Sequence, residues 1–260
     1  MNAILLQMKN HRSIRKYKNQ DVSDEIINKI LEASIMASSS GNMQSFSIIV
    51  TKDKDIKQKL LAPHFNQEMV TGAPVLITFC ADFHRMRLWL GDSSAPMNFD
   101  NFMSFMIASI DAILVSQNVA LAAESMGLGI CYMGTTLASC DQIGEILGCP
   151  DHVVPVVGFS MGYADEAPSE RKRLPLSSLV HYETYKDYSQ NGLQEAYAER
   201  ETLGWKRYLD DPTLNEMIKK SDVKNLAQVY TKLKYTRESH LDYSKTVLGY
   251  LEKSGFFNNN

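Results

Sequence analysis

The segment His11-Arg12-Ser13-Ile14-Arg15-Lys16-Tyr17 gathers the side chains of this chain best suited to hold an anion. Arg12 and Arg15 flank a serine, and a guanidinium binds phosphate through paired hydrogen bonds while staying charged at any working pH. A second basic run, Arg171-Lys172-Arg173, lies between Pro168 and Pro175. A phosphate monoester carries nearly two charges, so two clusters converging on it would neutralise it better than one. Taken separately, each reads equally well as a solvated basic face. The run Ser38-Ser39-Ser40 offers hydroxyls, yet no histidine or lysine stands near it in sequence to activate one. It reads as a polar turn or as a set of ligand contacts, and not as a nucleophile.

Composition narrows the classes. The chain has 260 residues, 44% hydrophobic and 22% charged, with a net charge of −3. It therefore lacks the basic excess of a nucleic-acid binder, and no nucleic-acid partner is expected. Cys80, Cys131, Cys140 and Cys149 sit in or beside apolar runs with no C-x-x-C pair, as buried reduced thiols of a cytoplasmic protein would. The histidines show no ligand spacing, so no metal is expected. Gly127-Leu128-Gly129 resembles a piece of a dinucleotide fingerprint, but it precedes a strand instead of opening a helix and reads as a helix C-cap. Gln7 and Lys9 interrupt the apolar opening, and no small-residue cleavage site follows. The apolar stretch 107–126 carries Asp111, Gln117, Asn118 and Glu124, which predicts a buried helix and no membrane span. The expected location is cytoplasmic.

The elements that must position these residues alternate irregularly. Periodicity predicts a helix over 24–37 with Ser23 as its N-cap, and a short charged helix over 53–61. Strands are predicted over 46–51, 74–81, 129–134 and 153–161, the last broken by Pro155. A long helix over 102–126 and a short one over 143–147 lie between them. From about Tyr185 onward the chain is helical and polar, ending in an amphipathic helix near 241–251. The expected class is α+β: one domain over 1–260, in which about 185–260 form a helical extension wrapping the core or a partner subunit.

Several motifs occur in an order that matches one family. They are His11-Arg12-Ser13-Ile14-Arg15-x-Tyr17, Ser38-Ser39-Ser40-x-x-x-Gln44 and Phe79-Cys80-Ala81-Asp82. Glu124-Ser125-x-Gly127-Leu128-Gly129 follows, before the turn Tyr132-x-Gly134. Last come Arg171-x-Arg173-Leu174-Pro175 and Leu179-Val180-His181-x-Glu183-x-Tyr185. Together these resemble the oxygen-insensitive, NADPH-dependent nitroreductase and flavin reductase family over residues 1 to about 188; the remainder departs from the family pattern.

The resemblance implies a nitroreductase-like fold with a central, mainly antiparallel sheet flanked by helices, and a homodimer with FMN at its interface. It implies that His11, Arg12 and Ser13 hold the FMN phosphate and ribityl chain, with Arg171 and Arg173 closing on the phosphate. Arg15 would lie against the pyrimidine edge and raise the reduction potential, and Gln67 would bond the same edge. Tyr132, Met133 and Gly134 would pass beneath the ring, with the Gly134 N–H toward N5. Ser38, Ser39, Ser40, Asn42 and Gln44 would come from the other subunit. The implied activity is ping-pong reduction of nitroaromatics, quinones or similar small-molecule acceptors, with NADPH or NADH as co-substrate and no catalytic side chain. Alternatives are a flavin reductase supplying free reduced flavin, a non-catalytic flavin-binding module, and a phosphoprotein- or nucleotide-binding interaction protein whose basic clusters meet a partner.

Overall fold

Four strands form one antiparallel sheet in the order β1-β2-β4-β3 in the computed structural model, which describes residues 2–258. The strands are β1 (Phe46–Thr51), β2 (Val75–Asp82), β3 (Gly129–Tyr132) and β4 (Val153–Gly162). Central β2 is buried along its whole length, as its near-continuous apolar sequence requires of a strand covered on both faces. Successive side chains point to opposite faces. Val75, Ile77, Phe79 and Ala81 enter the main core, while Leu76 joins a smaller cluster with Leu60, Val70, Cys131 and Ile143.

Pro155 does not break β4, contrary to the sequence expectation. The pairing of β2 with β4 shifts between Phe79 and Cys80, so that Phe79 faces Val157 and Cys80 faces Pro155. This bulge absorbs a residue that has no N–H to give to the ladder.

Helices cover the sheet. In chain order they are α1 (Ala3–Asn10), α2 (Asp24–Ser34), α3 (Lys54–Leu61), α4 (Met69–Gly72), α5 (His84–Asp92) and α6 (Phe102–Ser125), then α7 (Thr135–Ala138) and α8 (Cys140–Ile146). Ser23 caps α2 by accepting from the Ile26 N–H, and Asp53 caps α3 in the same way at Ile56. Gly127, at φ +79°, ends the α6 segment in the left-handed conformation that favours glycine.

Helix α6 is only half buried, which corrects the expectation of a buried helix. Phe105, Ala108, Ala112, Val115, Val119 and Ala123 pack inward at spacings of three and four, whereas Met103, Met106, Ile110, Ile113 and Leu114 are exposed. The helix is long and apolar enough to cross a membrane by length and composition, and half of that stretch is buried. A composition apolar all round hides which face the sheet takes.

The chain divides into two compact units, residues 1–169 with 243–260, and residues 170–242. The second unit holds α9 (Gln190–Asp210), α10 (Pro212–Lys219), α11 (Leu226–Val229) and a π-turn at Tyr230–Lys234 around its own small core of Tyr208, Ile218, Val223, Leu226 and Val229. Gly204 makes that packing possible, because a Cβ there would lie 2.4 Å from Leu226. The helical extension expected over about 185–260 is thus not one piece. Most of the last helix, α12 (Arg237–Lys253), and the residues after it belong with the first unit, where Tyr250, Leu251 and Phe256 are buried in the main core.

Candidate functional site

Residues 11–18 form a strap across the ends of β3 and β4. Ser13 bridges Ile130, the Ile14 N–H donates to Ile130 O at 2.9 Å, and Tyr17 bridges Ala164. The Lys18 N–H donates to Tyr163 O, and Lys16 O accepts from the Asp165 N–H, both at 2.9 Å. Ile14 is the buried anchor, resting where Gly129 has no side chain; a Cβ there would come within 2.5 Å of it. The Tyr17 hydroxyl donates to Ile14 O at 2.6 Å and shares a 2.8 Å contact with the Ser160 hydroxyl. Burial keeps that phenol protonated.

The anchoring fixes the backbone and leaves the Arg15 and Lys16 side chains exposed. His11 Nδ1 lies 2.5 Å from Glu124 Oε1, a partner that sequence reading missed as such. The Arg12 guanidinium donates to His11 O at 2.8 Å and to Lys9 O at 3.2 Å. Arg15 is exposed, and its N–H donates at 2.5 Å to Glu166 Oε1, which also takes the Lys16 N–H at 3.1 Å. These backbone donors, Arg15 first, hold the Glu166 carboxyl below its usual range. No local pattern marks Glu166, because its partners lie at the other end of the first unit.

The turn after β3 is the second part of the site. The Met133 N–H donates to Gly158 O at 2.8 Å, and the Met133 side chain is buried in the smaller cluster. Tyr132 points into the protein, bonded to the Ser116 hydroxyl at 3.0 Å and packed edge-on against Phe159, and burial pushes its pKa up to about 12. Both side chains are therefore spent on the core, and only backbone is left to face outward here. Gly134 is exposed, with no atom within 4 Å of where a Cβ would stand.

Gln67 is tied to this turn by a residue the sequence reading passed over. His64 Nδ1 contacts the Thr135 hydroxyl at 2.8 Å, joining the 62–67 loop to the residue after Gly134. In that loop Phe65 and Asn66 take positive φ, and the Gln67 N–H donates to His64 O. Gln67 Oε1 is buried without a hydrogen-bond partner. A buried acceptor left so costs about 1–3 kcal/mol, which a ligand N–H would recover.

The serine loop is the third part. Asp111, fully buried in α6, accepts the Ser40 N–H at 2.9 Å through Oδ1, and the Ser45 N–H at 3.3 Å and hydroxyl at 2.7 Å through Oδ2. A buried carboxylate needs such donors, and an acid in the middle of an apolar helix was the signal that could have revealed it. Between these anchors Ser40–Asn42 make a 3-10 turn, with Gly41, Asn42 and Gln44 at positive φ. The Gln44 side chain folds back onto Asn42, and its carbonyl accepts from Arg85 at 2.5 Å. Ser38, Asn42 and Gln44 are exposed. Arg171 and Arg173 are exposed residues of the second unit.

A model of the nitroreductase family matches residues 8–163. The chain belongs to the nitroreductase family. It is 35% identical over 187 residues to an FMN reductase (NADPH) of Bacillus subtilis strain 168, covering 71% of this chain and 75% of that protein. Its structure resembles the NfrA1 nitroreductase of B. subtilis (TM-score 0.84, 28% identity, 98% and 100% of the two chains covered). It also resembles the NADPH:FMN oxidoreductase of Vibrio harveyi complexed with NAD+ (TM-score 0.78, 28% identity, 99% and 100% covered). The α+β fold with its antiparallel sheet is the nitroreductase fold.

The clip at His64 should leave a mark on stability against pH. Burial lowers the His64 pKa from 6.5 to about 4, so the unfolded chain binds a proton that the folded chain refuses. Its contribution is fully present above pH 6.5 and is lost as pH falls toward 4. Between pH 7 and 4.5, denaturant titration of the wild type should show about 2 kcal/mol more loss than His64→Gln. Parallel curves for the two proteins would contradict it.

Proposed function

We propose that this chain is an FMN-dependent NAD(P)H oxidoreductase, with the strap, the Gly134 turn and the Gln67 loop as the FMN site. The observation that carries this reading is the orphaned Gln67 Oε1, a buried acceptor on a loop clipped to an open backbone turn. The pyrimidine edge of a flavin has an N–H between two carbonyls, so the residues fit the group: Gln67 supplies the acceptor, and the exposed Arg15 supplies a cation for the carbonyls. His11, Arg12 and Ser13 would hold the phosphate and ribityl chain. Tyr132, Met133 and Gly134 would offer backbone beneath the ring.

When bound, FMN supplies the two-electron chemistry, accepting a hydride from NADPH or NADH and passing electrons to a flat acceptor such as a nitroaromatic or quinone. The chain's work is electrostatic and positional. The Arg15 guanidinium stabilises negative charge on the pyrimidine edge and so favours the reduced state. Glu166 fixes the Arg15 and Lys16 amides and leaves the arginine side chain outward. Neutral His64 holds the Gln67 loop without adding a charge beside the ring. The relatives named as FMN reductases favour one variant of this reading, in which free FMN is itself the acceptor. Steady-state kinetics with free FMN against a nitroaromatic would separate the two.

The partner is proposed to be a second copy of this chain. Helices α1 and α2 pack against α6, and the three with the turn after α2 expose Leu5, Met8, Ile35, Met36, Ile110 and Ile113. Exposed apolar groups on adjoining helices mark an interaction surface. Because Asp111 of the same α6 anchors the serine loop, Ser38, Ser39, Ser40, Asn42 and Gln44 lie beside that surface and would reach a partner's flavin. Four thiols without a disulfide suit a cytoplasmic location.

Freshly purified protein should be yellow and should bleach on anaerobic addition of NADPH. A colourless protein, or a yellow one that NADPH leaves oxidised, would defeat the proposal. Arg15→Ala should lower the flavin reduction rate and potential more than FMN content, while Arg173→Ala should chiefly loosen FMN; equal losses of affinity in titrations of both would refute this division. The double variant Ile110→Asp/Ile113→Asp should sediment as a monomer and retain less FMN, and a fully loaded dimer would rule out α6 as the interface.

A further inference from the structure

Glu124 stands in the last turn of α6, at the negative end of the helix dipole, where a carboxylate is disfavoured and a cation is welcome. That turn carries no lysine or arginine. The Glu124 side chain is 9% exposed, and burying a carboxylate is costly unless it finds a partner. Its Oε1 lies 2.5 Å from His11 Nδ1, and its Oε2 accepts from Gln7 Nε2 of α1 at 3.5 Å. Among the described residues its ion-pair partner is His11, and no lysine or arginine takes that place. The imidazole is the group positioned to balance this charge.

His11 is held at three atoms. Its N–H donates to Met8 O at 3.4 Å, its carbonyl accepts from the Arg12 guanidinium at 2.8 Å, and its Nδ1 meets Glu124. A carboxylate only accepts, so Nδ1 carries a proton. The opposite nitrogen, Nε2, has no hydrogen-bond partner among the described residues, and the side chain is 30% exposed. A ring protonated at Nδ1 alone presents a lone pair at Nε2, which repels a phosphate oxygen. A ring protonated at both nitrogens donates from each.

We propose that Glu124 is a positioning residue for the flavin phosphate: it holds His11 by Nδ1, so that with FMN bound the ring carries protons on both nitrogens and donates from Nε2 to the phosphate. The inference rests on the strap being the FMN site. A ring between a buried carboxylate and a phosphate dianion faces anions on both sides, which favours the imidazolium. The second proton comes from solvent as the phosphate arrives. Lys9 of α1 and Arg12 and Arg15 of the strap are the other charged side chains on the segments flanking the ring. Glu124 touches neither phosphate nor flavin in this arrangement and acts through His11. The contact therefore discriminates between flavins: it strengthens FMN and does nothing for riboflavin, which lacks the phosphate.

The test titrates the full-length protein, freed of flavin, with FMN and separately with riboflavin at pH 8. Glu124→Gln keeps the shape and an acceptor for Nδ1 but removes the charge. It should weaken FMN about tenfold, the difference between a charge-assisted and a neutral hydrogen bond, and leave riboflavin affinity unchanged. In a His11→Gln background the same substitution should leave FMN affinity unchanged. Nitrogen NMR of histidine-labelled protein, with His11 assigned by its loss in His11→Gln, should show both ring nitrogens protonated in the FMN complex of the wild type. In Glu124→Gln only Nδ1 should be protonated, a signature that a merely structural carboxylate would not move. If Glu124→Gln folds poorly the wild-type spectrum decides, because a singly protonated His11 with FMN bound defeats the inference. Equal losses of FMN and riboflavin, an unchanged FMN affinity, or the same loss without His11 would each overturn it while leaving the strap as the FMN site. Wild-type protein that binds neither flavin would overturn that reading as well.

Discussion

The strap over residues 11–18 is held by main-chain pairing to β3 and to the end of β4, and the site depends on that pairing. A segment so rich in cations would repel itself and stay solvated if its order rested on its side chains. Its order rests instead on backbone bonds, on buried Ile14, and on the Tyr17 hydroxyl reaching Ser160. Glycines at both edges allow the approach: a Cβ on Gly129 would meet Ile14, and one on Gly162 would meet Pro74 and Tyr17. With the backbone fixed by other means, the Arg15 side chain stays exposed.

Three polar residues in apolar surroundings organise the rest. Asp111 satisfies three donors of the serine loop, His64 clips the Gln67 loop to α7, and the Ser47 hydroxyl hydrogen-bonds buried Asp82 at the far end of β2. Burying such groups is costly unless each finds a partner, so each specifies one loop conformation among many. Gln67 Oε1 is buried and lacks that partner, as Asp141 Oδ1 and the Tyr208 hydroxyl also do, but it alone of the three belongs to the loop clipped beside the open Gly134 turn. A polar group left unsatisfied within a polar, otherwise well-bonded loop is best understood as waiting for one.

The two faces of the sheet have separate chemistry. Toward α6 the residues of β2 are wholly apolar and build the main core. On the other face Leu76 packs with Leu60, Val70, Cys131 and Ile143 in the smaller cluster. Tyr250 of α12 brings its hydroxyl against Gly144, where any larger residue would collide.

The sequence alone determined the four strands, helix α2 with its serine cap, the short charged helix α3, the long helix with its glycine stop, and the family to which the motifs belong. These features depend on local rules: alternation, a serine at the N-cap, a glycine in the left-handed region. It also marked the cations of the strap, because charge density and spacing are visible in one dimension. Tertiary structure decided the partnerships: His11 with Glu124, the strap amides with Glu166, His64 with Thr135, and Asp111 with Ser40 and Ser45. No local pattern encodes these pairs, since each joins segments far apart in the chain. Tertiary structure also decided which side of α6 is buried, because a helix apolar all round carries no stripe to read. It decided too that α12 returns to the first unit, where Phe256 fills the main core. The physical reason is the same in each case. Local sequence fixes the conformation of a segment, while the burial of polar and apolar groups is settled by whatever packs against it.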